Sequence, residues 1–388
     1  MPPVPAPPDP TSANPTPASM PPQIKGQRFV CPGCAADMQF DPATGGMKCP
    51  FCGQTLALAP AAAGAAVRPH ALDEFLAGDT SKLRPLTSQA LQVDCDGCGS
   101  AVTFEPPEVA GLCPFCGAAL VAQAKAADPL IAPDGLLPAK VPKDQALAEV
   151  RQWLQTRWFA PDALKRIARP EGIAGVYLPF WDYDADTASR YAGERGQHYW
   201  ETEYYTETDN NGNSVQRSRQ VQRTAWYPVT GQVARHFQGV LVGASRAVAE
   251  AKLNALEPWD LESLCPYEPA YLAGFKAQRY QVELADGFEK AKGTMQKTIA
   301  EDVRRNIGGD EQRIEQLETE YANAMFRHLL LPVWIGAYRF NSKVYQVAVN
   351  ARTGEVQGER PYSSAKIAML VAAVMAILAI IIVLASHR

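Results

Sequence analysis

This 388-residue chain has no glycine-rich loop ending in Lys-Ser or Lys-Thr and no acidic strand to hold Mg2+, which excludes a nucleotide-driven motor. The nearest string, Gly287 to Thr294, has the wrong spacing and falls in a helical pattern. Histidine is scarce, five in all, and no pair stands at HxH or HxxxH spacing, so a histidine-based metal hydrolase is not indicated. Residues 1 to 26 lack both a basic n-region and an apolar h-region, which removes the exported context that a disulfide framework needs. Excess positive charge is missing too, since the formal net charge is −4.

What the chain does have is one four-cysteine pattern used twice. Cys31-x2-Cys34-x14-Cys49-x2-Cys52 recurs as Cys95-x2-Cys98-x14-Cys113-x2-Cys116, in register at a period of 64 residues. Gly33/Gly97, Phe40/Phe104, Pro42/Pro106 and Leu56/Leu120 also match, and each unit ends in the pentapeptide Cys-Pro-Phe-Cys-Gly. Two CxxC turns supply the four thiolates of a closed tetrahedral Zn2+ shell, which stabilises a fold and leaves no open position for catalysis. Two structural zinc ions are therefore expected, with the glycine after the second cysteine permitting the knuckle turn. Met38 and Phe40, and Val102 and Phe104, alternate as strand residues able to cover the metal.

The other end of the chain predicts location. Ile367 to Ala385 are 19 consecutive uncharged apolar residues, enough to cross the ~30 Å hydrocarbon core as a helix. Free zinc-binding thiols favour the reducing cytosol. The expectation is a single C-terminal span at the bacterial inner membrane with the N-terminus cytosolic.

Composition divides the remainder. Residues 1–27 read as a disordered Pro-rich tail, 28–58 as the first zinc ribbon, 59–90 as a linker with a short helix, 91–122 as the second ribbon and 123–135 as another linker. An α+β domain is expected over 136–361, a transmembrane helix over 366–385 and a short tail over 386–388. In the domain, Asp144 is placed to cap a helix burying Leu147, Val150, Leu154 and Trp158. Strands are expected over Ile173–Asp184, Tyr199–Thr208 and Val215–Tyr227, the last two joined through Asp209-Asn210-Asn211-Gly212-Asn213. A helix is predicted from Phe288 to Tyr321, interrupted at Gly308-Gly309 and resumed under an Asp310 cap with Ile314, Leu317 and Tyr321 buried. A closing hairpin, Lys343–Val349 and Glu355–Gln357, turns through Asn350 to Gly354.

The doubled ribbon, Leu178-Pro179-Phe180-Trp181-Asp182-Tyr183-Asp184, Gly308-Gly309-Asp310-Glu311-Gln312-Arg313-Ile314, Leu330-Leu331-Pro332-Val333-Trp334 and the terminal span together resemble a family of bacterial double zinc-ribbon, C-terminally anchored proteins. Members often carry labels such as primosomal protein N-prime, superfamily II helicase-like or TFIIB-type zinc-ribbon protein. The resemblance covers nearly everything from Cys31 onward. It implies a cytosolic partner of the SPFH or phage-shock-A-like type, and it carries over the eight zinc ligands only.

Two function classes compete. One is a membrane-tethered adaptor that offers its ribbons to cytosolic partners through exposed strand edges and aromatics on the ribbons; Trp200, Tyr204, Tyr205, Trp226 and Tyr227 also crowd one strand-rich region that could serve as a binding surface. The other is a tethered nucleic-acid binder without helicase or ATPase activity. Charge opposes the second: between Arg28 and Leu120 five basic face nine acidic side chains, and two four-thiolate zinc centres bring that region to about −8. Arg217, Arg219 and Arg223 alternate along a strand, a pattern typical of a solvated face. No enzyme is expected. Cys265, the spare thiol, reads as buried and inert, and Asp182, Asp184 and Asp186 read as the polar face of a strand with Tyr183 and Ala185 inward.

Overall fold

Three long strands, Ala174–Thr208, Ser214–Gly243 and Glu311–Phe340, decide the architecture of the body. The computed structural model describes residues 29–386 apart from 59–66, 78–82, 85–90, 96–97, 105–109, 117–118, 122–129, 162–172, 209–213 and 341–342. The expected tail over 1–27 and the hairpin turn at Asp209 to Asn213 lie outside the described residues. Among the described residues the long strands form a nine-stranded sheet, antiparallel apart from short pairings at Gly135–Leu136 and Lys276–Ala277. The expected mixed α+β domain is thus corrected to a large, mainly antiparallel sheet with helices laid against it. The two four-cysteine clusters and, among the described residues, one apolar C-terminal helix stand as expected.

Side-chain alternation explains why one face of the sheet is covered. Trp181, Tyr183 and Ala185 point to the helix Leu284–Ile307, which answers with Ala291, Met295, Ile299, Val303 and Ile307, one per turn. The helix starts close to the strand: a Cβ on Gly287 would lie 2.5 Å from the Tyr183 hydroxyl and 2.7 Å from Trp181 Cδ1. Trp181 Nε1 donates to the Val282 carbonyl at 2.8 Å, and Tyr183 Oη donates to the Leu284 carbonyl at 2.7 Å. Those bonds satisfy the polar tips of two fully buried aromatics.

The helix expected beyond Gly308-Gly309 is a strand. Its apolar residues run Ile314, Leu317, Tyr321 because an extra residue at Glu315, opposite Ala192/Gly193, shortens the first step to three, while Leu317 to Tyr321 is two ordinary strand periods; a second bulge follows at Asn323, φ +51°, opposite Asp184/Asp186. Spacings of three and four then mimic a helix. Asp310 caps no helix; its carboxylate accepts the His198 N–H at 2.7 Å, tying the start of one long strand to its neighbour. Likewise Pro142, not Asp144, precedes helix Lys143–Gln155, which buries Ala146, Val150 and Leu154 and ends before Trp158, 73% exposed.

The hairpin strands at both expected places are present, and Leu178-Pro179-Phe180-Trp181 lies antiparallel to His328-Leu329-Leu330-Leu331, with Leu178 opposite Leu331. Segments expected as linkers contribute to the body. His70–Ala71 pairs with Met325 and Phe326, and Leu72 is buried beside them. The terminal helix Ser364–Ser386 is long and apolar enough to cross a membrane, and none of its apolar stretch is buried in the body.

Candidate metal centres

Each ribbon brings its four cysteines together. The Sγ atoms of Cys31, Cys34, Cys49 and Cys52 lie within 4.8 Å of one another, as do those of Cys95, Cys98, Cys113 and Cys116. Contacts of 3.4 Å for Cys31–Cys52 and Cys34–Cys49, 3.5 Å for Cys95–Cys116 and 3.7 Å for Cys98–Cys113 are far longer than the ~2.05 Å of a disulfide. They approach the ~3.8 Å edge of a tetrahedron with Zn–S near 2.3 Å. Both groups can hold a metal ion, and the all-thiolate donor set suits zinc.

Backbone geometry preforms these sites. In three knuckles the first cysteine donates its N–H five residues ahead, Cys31 to Ala36, Cys49 to Gln54 and Cys95 to Ser100, while its carbonyl accepts the N–H of Ala35, Gly53 or Gly99. Those three acceptor turns need a left-handed residue, and Ala35 (φ +58°), Gly53 (+77°) and Gly99 (+69°) supply it. The chain is thereby folded around each sulfur. N–H groups of Cys52 and then Phe51 point at Cys49, outweigh its burial and draw its thiol down to about 6. At Cys113 burial opposes ionisation, but the Ser100 hydroxyl and the amides of Cys116 and Phe115 outweigh it.

Sequence reasoning missed two supporting side chains. Ser100 is fully buried, with Oγ 3.1 Å from Cys98 Sγ and 3.4 Å from Cys113 Sγ. At the matching position of the first ribbon stands Ala36, and there the Gln54 amide oxygen lies 3.8 Å from Cys31 Sγ, accepting from the thiol. Aligning the two repeats and asking where they differ would have found both.

Neither ribbon is free of the body. Met38, Phe40 and Met47 are buried, Phe40 meets Tyr271 edge-on at 5.1 Å, and its N–H donates to Ala273 O. The second ribbon buries Cys95, Cys113 and Phe115 in one cluster with Leu137, Val176 and Val333. Gln281 and Gln346 side-chain amides donate to the carbonyls of Gly99 and Phe115.

Beyond Gly196 the third long strand stops, and the other two continue alone as an arm of 12 residues a side, about 40 Å long. Arg217, Arg219 and Arg223 are not a free basic stripe: they pair with Glu207, Glu203 and Glu201 across the arm. The opposite face carries Trp200 and Tyr204, 67% and 68% exposed, among Thr, Gln and Ser side chains. Trp226, at the arm's root, lies under Arg313 at 3.6 Å.

The remaining candidates lie outside both four-cysteine groups. Cys265 is buried, its Sγ 3.5 Å from Leu136 O, and burial pushes its thiol up to about 11. Tyr183 and Ala185 face inward as expected, but Asp182 is buried as well, 1% exposed, rather than on a solvated face.

No family model matches this chain, and no solved structure matches it. It is similar to the uncharacterized protein YdjG of Bacillus subtilis (strain 168), 25% identical over 347 residues, which are 88% of this chain and 92% of that protein.

Proposed function

We propose that this protein is a membrane-tethered adaptor. The terminal helix anchors it in the bacterial inner membrane with the body cytosolic, two four-cysteine zinc centres brace the body, and the sheet arm captures a cytosolic partner of the SPFH or phage-shock-A-like type. The observation that carries this reading is the arm: a ~40 Å two-stranded projection that exposes Trp200 and Tyr204 on an uncharged face has aromatic anchors of the kind that protein interfaces use. Closed thiolate shells support a non-enzymatic role, since they leave no position for substrate. A tethered nucleic-acid binder is less favoured, because the three arm arginines are already paired with glutamates and would have to give those up for phosphate.

Affinity purification from detergent extracts tests it. The intact chain should bring a specific partner from the membrane fraction. A chain ending at Ser364 should bring it from the soluble fraction, and Trp200→Ser with Tyr204→Ser should stay in the membrane and lose it. An arm variant that keeps every co-purifying protein, or a periplasmic location for a reporter fused ahead of Arg28, would defeat the proposal.

A further inference from the structure

Where the body meets the terminal helix, an open groove of about 510 Å3 is lined by Trp153, Arg157, Tyr345, Glu359, Arg360 and Tyr362. Three nitrogens of its lining, Trp153 Nε1, Arg157 Nε and Arg360 Nε, are shielded from solvent and have no hydrogen-bond partner among the described residues. Buried donors left unpaired cost free energy, and three around one groove ask for a ligand rich in acceptors. The two guanidinium groups are held by stacking, Arg157 over Trp153 at 5.0 Å and Arg360 over Tyr362 at 5.5 Å, with no carboxylate paired to either among the described residues. Glu359, the carboxylate of the lining, is taken by Lys252 at 2.5 Å. The groove therefore presents positive charge and N–H donors with its one acid already neutralised.

Its position narrows the ligand. Tyr362 stands two residues before the terminal helix, the Ser363 N–H donates to Phe159 O at 2.8 Å, and Lys366 Nζ donates to Ala160 O at 3.0 Å. These bonds clamp the corner carrying Arg157 to the first turn of the helix, one turn before the apolar run begins at Ile367. Trp158 and Tyr362, 73% and 63% exposed, flank the same corner, as aromatic residues do at the membrane–water interface. We infer that this groove binds the phosphodiester of an anionic phospholipid headgroup in the leaflet the helix enters, with Arg157, Arg360 and Trp153 as its donors. Arginine suits that task because its planar fork matches phosphate oxygens in pairs. The inference rests on the helix being a membrane anchor.

The test uses the full chain in detergent micelles, with retained phospholipid counted by native mass spectrometry against phosphatidylglycerol and phosphatidylcholine. One phosphatidylglycerol should be held in preference to phosphatidylcholine, and Arg157→Gln with Arg360→Gln should reduce that preference roughly tenfold or more, each arginine near an anionic leaflet being worth roughly fivefold. Unchanged zinc content shows that the variant is folded, and Trp153→Phe, which removes the indole N–H and trims the ring but keeps an aromatic face, should weaken retention in the same direction. Equal retention of both lipids, or a preference untouched by the arginine changes, overturns the proposal. Displacement of the lipid by millimolar inorganic phosphate also overturns it, by making the groove a free-anion site. Alkaline washing of membranes tests the anchor separately: a chain released by the wash refutes the anchor, whereas a retained chain without lipid preference refutes the groove alone.

Discussion

Phe51 and Phe115 are the same residue of a duplicated Cys-Pro-Phe-Cys-Gly pentapeptide and stand on opposite sides of the solvent boundary, 81% and 3% exposed. The second ribbon drives its phenylalanine into the cluster of Leu137, Val176 and Val333, while the first presents its own to water. Phe115→Ala should therefore cost about 3–5 kcal/mol in urea unfolding, the range for emptying a buried aromatic site. Phe51→Ala should change stability by less than about 0.5 kcal/mol. Equal costs would mean that the two ribbons dock alike.

Metal removal should reach beyond the ribbons. Purified protein is expected to carry two zinc ions per chain, and Cys49→Ser with Cys52→Ser should remove one and leave the other. Cys31 and Cys49 share a cluster with Val150 and Trp334, and Cys95 and Cys113 share one with Leu137 and Val333. Chelation should accordingly lower the melting temperature of the sheet body in one cooperative transition. Iron in the sites would contradict the zinc assignment, and an unshifted body transition would contradict the coupling.

How legible all this was depended on whether the determining interaction is local. The eight cysteines could be read from spacing alone, because a four-thiolate shell imposes its own geometry on short turns. The terminal helix was legible from unbroken hydropathy. The length of the strand Ala174–Thr208 was not, since Gly193 and Gly196 interrupt the pattern that joins its two recognisable ends. Gly193 is there because the next strand passes close by: a Cβ would lie 2.1 Å from Arg313 O. The strand beginning at Glu311 was misread because a bulge at Glu315 shifts Ile314 out of phase with Leu317 and Tyr321, leaving spacings of three and four. Docking of Phe115 but not Phe51 could not be seen in identical pentapeptides, for it depends on partners far away in the chain.

The first knuckle carries a removable strain. Ala35 occupies the left-handed turn that Gly53 and Gly99 take in two other knuckles, at φ +58°. A left-handed L-residue costs roughly 1–2 kcal/mol, part of which is returned as extra freedom of glycine in the unfolded chain. Ala35→Gly should thus stabilise the zinc-loaded ribbon by about 0.5–1 kcal/mol and slow zinc loss to a chelator. A destabilised variant would show that the Ala35 methyl contributes packing that outweighs its strain.

Asp182 makes stability depend on pH in an unusual direction. Burial raises its carboxyl from the ordinary 3.8 to about 6, against the pull of Arg327 and with the help of Asp184. Arg327 Nη2 approaches Asp182 Oδ2 at 2.7 Å, yet among the described residues neither carboxylate oxygen has a well-aligned hydrogen-bond donor, so the ion pair offsets desolvation only in part. Because the folded state holds this proton more tightly than the unfolded chain, the contribution is fully present below pH 3.8 and is lost as pH rises through about 6. A shift of that size corresponds to about 3 kcal/mol. Asp182→Asn keeps the shape and removes the titration, while Arg327 retains Asp184 at 3.3 Å. Urea denaturation of both chains in detergent micelles should show the variant gaining on the native chain between pH 4 and 6, and at least matching it at pH 7. If the variant instead loses ground as pH rises through that window, attraction to Arg327 outweighs burial and Asp182 is a stabilising partner at neutral pH.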